Sequence, residues 1–155
     1  MASLLTLTQT QPQRKLAAGE ALITEGDDNG ELYILEKGRL VVERDGVAIA
    51  TIIEPGAMIG EMSVLLGKSH TATVRAGVDT TVRVIENALS FMERTPIVAI
   101  TVATLVCERL DATSAVLVEL RQKSGDKGGD QGMLSRIFAA LSAPPKPPSG
   151  FAAHE

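Results

Sequence analysis

Residues 59–76, IGEMSVLLGKSHTATVRA, gather groups whose types and spacing could do chemistry. A glycine at 60 lets the main chain come close to a ligand. A short helical turn starting there would aim the N–H groups of Glu61, Met62 and Ser63 at a common point. Such a point attracts an anion. Thr71, at the start of the next strand, adds a hydroxyl, and Ala72 adds a main-chain N–H beside it. Glu61 cannot hold an anion, because like charges repel, but it can accept a hydrogen bond from a neutral sugar hydroxyl. One carboxylate among several amide donors describes a molecule with a phosphate at one end and a sugar hydroxyl close by. A Gly-Glu pair alone also occurs in β-proteins that hold no ligand, so its weight comes from its setting.

That setting is a run of short strands. From Lys15 to Glu86 turn residues recur every few positions: AGE at 18–20, EGDDNG at 25–30, KG at 37–38, RDG at 44–46 and EPG at 54–56. Between them lie ALI, LYILE, RLVVER, VAIATII, TATVRA and TTVRVIE. This spacing predicts a sandwich, jelly roll or barrel. Asp45-Gly46 predicts a hairpin turn, because glycine accepts the positive φ such turns require.

The texture changes at Ser90. Glycine disappears, and Thr95-Pro96 fits an N-cap followed by proline at the first helical position. The stretch from Pro96 to about Lys123 predicts one long helix or two in succession. Its first half, IVAITVATLVC, is apolar on every side, which implies cover on more than one face, by the β-structure and by a partner subunit. KSGDKGGDQG at 123–132 predicts a flexible linker. Beyond it Met133, Leu134, Ile137, Phe138 and Leu141 fall on one stripe at helical spacing, a short amphipathic helix over 133–143. The proline-rich 144–155 predicts an extended or disordered tail.

The chain has 155 residues, 45% of them hydrophobic, and a formal net charge of −4. That is enough for one domain with a core, plus tails. The acidic balance, with an isoelectric point near 5.2, argues against binding nucleic acid by charge. The single cysteine, Cys107, excludes an intrachain disulfide, and its apolar helical neighbours predict a buried thiol. The start of the chain lacks the pattern of a secretory leader. No apolar run has the length of a membrane span, which predicts a soluble, cytoplasmic protein. His70 and His154 are the only histidines, so no metal-ligand spacing exists. No nucleophile has a base placed for it, and no enzyme is expected.

Roughly residues 14–122 resemble the cyclic-nucleotide-binding domain of bacterial catabolite-activator-like regulators, cyclic-nucleotide-dependent kinases and gated channels. The matching pieces are LAAGEALITEGDDNGELYILEKGRLVV, IEPGAMIGEMSVLLGKSHTATVRA and the helical stretch that follows. The resemblance implies a mainly β fold with flanking helices: an antiparallel β-roll or jelly roll of about eight strands over 14–89, then helices over 90–122. Residues 1–13 would be an N-terminal extension. The family's phosphate cassette maps onto Gly60, Glu61, Met62, Ser63, Leu65, Leu66, His70, Thr71 and Ala72. By that mapping Glu61 holds a ribose 2′-hydroxyl. Thr71 and the amides of Met62, Ser63 and Ala72 hold a cyclic phosphate. Thr113 and Ser114, in ERLDATSAVL, match a pair that reaches the purine in the bacterial activators; their hydroxyls could equally bond back to helix carbonyls. Val42 and Thr51 would lie on strands facing the base, their register unfixed by sequence.

The chain departs from the family at His70, where most nucleotide-binding members carry arginine. Histidine offers fewer donors, and an ordinary one is charged only below about pH 6.5. Losing an ionic hydrogen bond of this kind costs about 1.5–3 kcal/mol, or roughly ten- to hundred-fold in affinity. A bound phosphate would favour the imidazolium, so affinity would increase as pH falls. Lys68 is a second cation close by. Thr71 is the type seen in cGMP-preferring members, whereas Thr113-Ser114 leans towards cAMP, and the balance favours cAMP. No winged helix-turn-helix follows the long helix. The expected function is a stand-alone cyclic-nucleotide sensor with cAMP or cGMP as regulatory ligand and no cofactor. It would signal to a protein partner through its C-terminal helices, and homodimerise through helix 96–122. The competing expectation is a nucleotide-free interaction module recruited by the 133–143 helix.

Overall fold

The computed structural model describes residues 3–123 and Ala139. The expected amphipathic helix at 133–143, the tail and His154 therefore lie outside the described residues, Ala139 aside. So does the expected linker beyond Lys123.

Eight strands form two four-stranded antiparallel sheets. One holds β1 (Gln13–Leu16), β8 (Thr80–Ile85), β3 (Leu32–Lys37) and β6 (Met58–Ile59), in that spatial order. The other holds β2 (Ala21–Ile23), β7 (Thr73–Ala76), β4 (Leu40–Arg44) and β5 (Val47–Ile52). The expected β-roll is the observed one. Between the sheets Tyr33, Leu35 and Val82 from the first pack with Leu40, Val74 and Ala76 from the second, each almost wholly buried. Burying side chains of this size removes apolar surface from water at about 25 cal/mol per Å², the main force holding the sheets together.

β3 is buried on both faces, which explains its unbroken apolar run LYIL. Its second face is met by a short N-terminal helix, α1 (Leu4–Leu7). Ser3 caps α1 by accepting from the Thr6 N–H, and the Leu4 side chain and Thr8 are buried. The extension over 1–13 is thus built into the roll from residue 3.

The Asp45-Gly46 turn forms as expected. Arg44 pairs with Val47 across it, and both turn residues have positive φ, 51° and 76°. Gly38, between β3 and β4, has φ +111°, and a Cβ there would lie 2.5 Å from the Thr80 hydroxyl. That hydroxyl accepts from the Arg39 N–H, so the turn and β8 are tied at the point where a side chain would collide.

After β8 come α3 (Ala88–Arg94) and α4 (Pro96–Lys123), while α2 (Glu61–Leu66) lies earlier in the chain, between β6 and β7. Pro96 takes the first position of α4, and α3 and α4 meet at 115°. No single helix among the described residues is long and apolar enough to cross a membrane.

Two compact units divide the chain, Met1–Thr104 and Leu105–Glu155. In the first, the start of α4 buries Val98, Thr101 and Val102, one stripe at spacings of three and four. Its other side is bare, with Ile97 46% and Ile100 57% exposed. Among the described residues the all-round apolar pattern therefore finds cover on one face only. In the second unit, residues 105–123 bury no side chain, and Leu110, Val116 and Leu120 are about half exposed. Cys107, expected to be buried, is exposed there. Its apolar neighbours lie along the helix and leave the thiol itself uncovered.

Candidate functional site

The cassette begins where β6 ends. Ile59 pairs with Tyr33, and Gly60 then takes φ +91° to turn the chain into α2. A Cβ at Gly60 would lie 3.0 Å from the Glu31 carbonyl oxygen. Conformation and space both require glycine here.

α2 is short and asymmetric. Glu61, Ser63 and Val64 turn inward, while Met62 and Leu66 are about half exposed. The Ser63 hydroxyl donates to the Lys68 carbonyl at 2.5 Å, and the Gly67 N–H donates to the Ser63 carbonyl. Ser63 thus locks the loop that follows, so its side chain is committed and only its amide fits the expected role. First-turn amides have no partner inside their own helix, which leaves those of Met62 and Ser63 without an intrahelical bond.

The second half of the cassette folds back. The His70 N–H donates to the Asp27 carbonyl at 2.8 Å, and the Gly26 N–H donates to the His70 carbonyl at 2.9 Å. This pairing against the 25–30 loop buries the imidazole to 7% exposure. Its Cε1 lies 3.5 Å from the Cβ position at Gly60, so the two ends of the cassette meet. Thr71 follows in the open and Ala72 is half-buried, leading into β7. Lys68 is exposed.

His70 also rests against a polar network that sequence reasoning missed. Its Nε2 lies 3.4 Å from the Asn29 Oδ1. That oxygen accepts from the Glu31 N–H at 3.1 Å, while the Asn29 amide nitrogen donates to the Tyr33 hydroxyl at 3.0 Å. Tyr33 donates in turn to the Glu31 carboxylate. The Arg14 guanidinium meets the same carboxylate at 3.5 Å and lies over the Tyr33 ring. Burial pushes the Tyr33 phenol up to about 12, with the hydrogen bond and charge of Glu31 adding to the shift. The alternation Asn29, Glu31, Tyr33 was visible in the sequence. EGDDNG reads as a turn, however, and that reading hides a side chain with a second duty.

Of the two strand positions expected to face a base, only Val42 faces inward. It is half-buried, packs against the core and pairs with Val74. Thr51 pairs with Val41, one residue on, and so belongs to the opposite face. The irregular register between Val42 and Glu43 was not readable from sequence. Thr113 and Ser114 lie on α4 in the second unit, Thr113 exposed and Ser114 half-buried.

The sequence model of the cyclic nucleotide-binding domain family matches residues 13–93. Over 71 residues the chain is 32% identical to a cAMP-dependent protein kinase regulatory subunit of Yarrowia lipolytica, covering 46% of this chain and 19% of that protein. Over 72 residues it is 40% identical to the acetyltransferase Pat of Mycolicibacterium smegmatis, covering 44% and 21%. The chain therefore spans about a fifth of the length of these curated relatives. Among solved structures it is similar to the catabolite activator protein of Thermus thermophilus. The TM-score is 0.63 at 27% identity, covering 75% of this chain and 58% of that one. With the family match spanning more than half of its residues, the chain belongs to the cyclic nucleotide-binding domain family.

Proposed function

We propose that this chain is a sensor that binds a cyclic nucleotide, cAMP in preference to cGMP, through the cassette of residues 60–72. One observation carries the reading: the His70 imidazole lies 3.5 Å from the Cβ position at Gly60, bringing the start of β7 to the head of α2. Glu61 holds the ribose 2′-hydroxyl. The amides of Met62, Ser63 and Ala72, with the Thr71 hydroxyl, hold the cyclic phosphate, and His70 supplies the cation. Thr113 and Ser114 keep base recognition on resemblance alone. Residues 14–122 form the binding domain, and its work is binding rather than catalysis.

The signal leaves through the helices after β8. The exposed apolar side chains of α4, Ile97, Ile100 and Leu110 among them, support a homodimer or a protein partner along that helix. The same side chains favour a second reading, a module that binds its partner without a nucleotide.

Calorimetric titration of the full chain with cAMP and cGMP tests the first reading, with cAMP binding the more tightly. Equal affinity would remove the preference, and silence with both would leave the second reading.

A further inference from the structure

Asn29 cannot be turned over without losing its partners. The Glu31 N–H is an obligatory donor, so the atom facing it must be the Asn29 oxygen. The amide nitrogen then meets two acceptors, the Tyr33 hydroxyl at 3.0 Å and the Glu31 carboxylate at 3.4 Å. The oxygen is what faces His70 Nε2, at 3.4 Å. A lone pair on Nε2 would point at another lone pair, whereas an N–H there completes a hydrogen bond. In the neutral ring the proton therefore sits on Nε2, and Nδ1 carries the lone pair. Among the described residues the ring's hydrogen bond is made by Nε2, and no fully buried side-chain nitrogen lacks a partner, so Nδ1 is left open to a ligand or to water.

The consequence bears on an anionic ligand. An arginine meets a phosphate with fixed donors. The neutral His70 held by Asn29 would meet it with a lone pair, which repels. The titratable and charged groups on the segments around His70 are Glu25, Asp27 and Asp28 in the 25–30 loop it pairs against, Glu31 and Tyr33 behind Asn29, Arg14 on β1, Glu61 heading α2, and Lys68 in its own loop. Arg14 and Tyr33 are engaged with Glu31, so neither supplies the missing donor at the ring.

We propose that Asn29 is a positioning residue for anion capture: it fixes the Nε2–H tautomer of His70, so that a phosphate-bearing ligand binds only with a proton added at Nδ1. This rests on the sensor reading, and it makes the site respond to pH and nucleotide together. Each bound phosphate takes up one proton, and affinity changes tenfold per pH unit where the free ring is neutral.

The test uses the full chain labelled with 15N-histidine, in which His154 is the only other signal. At alkaline pH without ligand, His70 should show a protonated Nε2 and a bare Nδ1. Asn29→Ala, checked for native amide dispersion, should move the ring towards a mixture of tautomers. cAMP titrated across the neutral range should bind with the one-proton slope in the natural chain and a shallower one in Asn29→Ala. A protonated Nδ1 in the natural, ligand-free chain overturns the proposal without any variant. So does an unchanged tautomer in Asn29→Ala, or cAMP binding with no pH slope. Absence of cAMP binding at every pH, with the Nε2–H tautomer present, overturns the sensor reading and the capture step and leaves the positioning by Asn29 standing.

Discussion

His70 faces Gly60: the imidazole Cε1 lies 3.5 Å from where a Cβ on Gly60 would sit, and the Glu31 carbonyl lies 3.0 Å from the same point. A methyl group at this position would press on that carbonyl and meet the imidazole in ordinary contact, and it must adopt a left-handed conformation, at a cost of about 1–2 kcal/mol. Gly60→Ala should lower the unfolding free energy by at least that much in urea titrations and weaken cAMP binding further. An unchanged urea midpoint would mean that the turn does not need its glycine.

Glu61 is buried at the head of α2, and its proposed partner is a neutral hydroxyl. Glu61→Gln keeps the shape and removes the charge. The loss of an ionic hydrogen bond should weaken cAMP by about 1.5–3 kcal/mol, roughly ten- to hundred-fold. 2′-deoxy-cAMP should already be weak in the natural chain and should lose little more in the variant. A full loss with both ligands would place the effect of Glu61 elsewhere than on the ribose.

Tyr33 links the core to the Asn29–Glu31 network, and its pKa is raised to about 12. For a group raised in the folded state, the stabilisation is fully present below the unfolded value, about 10, and is lost as pH rises through the folded value. The natural chain should therefore lose stability between about pH 10 and 12 in a step that Tyr33→Phe lacks. Urea midpoints measured for both chains across that range make the comparison. Parallel curves would show that the phenol does not carry the alkaline loss.

The bare side of α4 makes a separate prediction. Ile100→Glu combined with Leu110→Glu changes side chains that are about half exposed, so the roll should keep its melting temperature. Sedimentation velocity should show the natural chain self-associating and the variant monomeric. Identical sedimentation of the two would remove α4 as the interface.

Much of the roll could be read from the order of residues, because its strands alternate and its turns carry glycine. LYILE, RLVVER and VAIATII became β3, β4 and β5 within a residue or so, and Asp45-Gly46 became their turn. β1 was silent because QRKL is largely exposed, and β6 because it has only two residues. α1 was hidden for a similar reason, since its four residues are too few for helical spacing to show. At the site, Gly60, Glu61 and His70 announced themselves by type. Asn29 did not, because its duty to His70 depends on main-chain pairing between segments far apart in sequence, at Asp27 and His70. Thr51 went to the wrong face because it pairs with Val41, whereas Val42 pairs with Ala50, and strand register is not fixed by sequence alone. Cys107 was misplaced because apolar neighbours along a helix do not show which side is covered.

The most direct measurement is calorimetric titration of the full chain with cAMP near pH 6 and near pH 8, across the range in which histidines change charge, repeated on His70→Arg. The natural chain should bind at both and more tightly at the lower pH. The arginine variant should bind roughly ten- to hundred-fold more tightly at the higher pH and lose most of its pH dependence. No heat from the natural chain at either pH, with clear binding by His70→Arg, would contradict the sensor reading and show a pocket that keeps its cradle without its ligand.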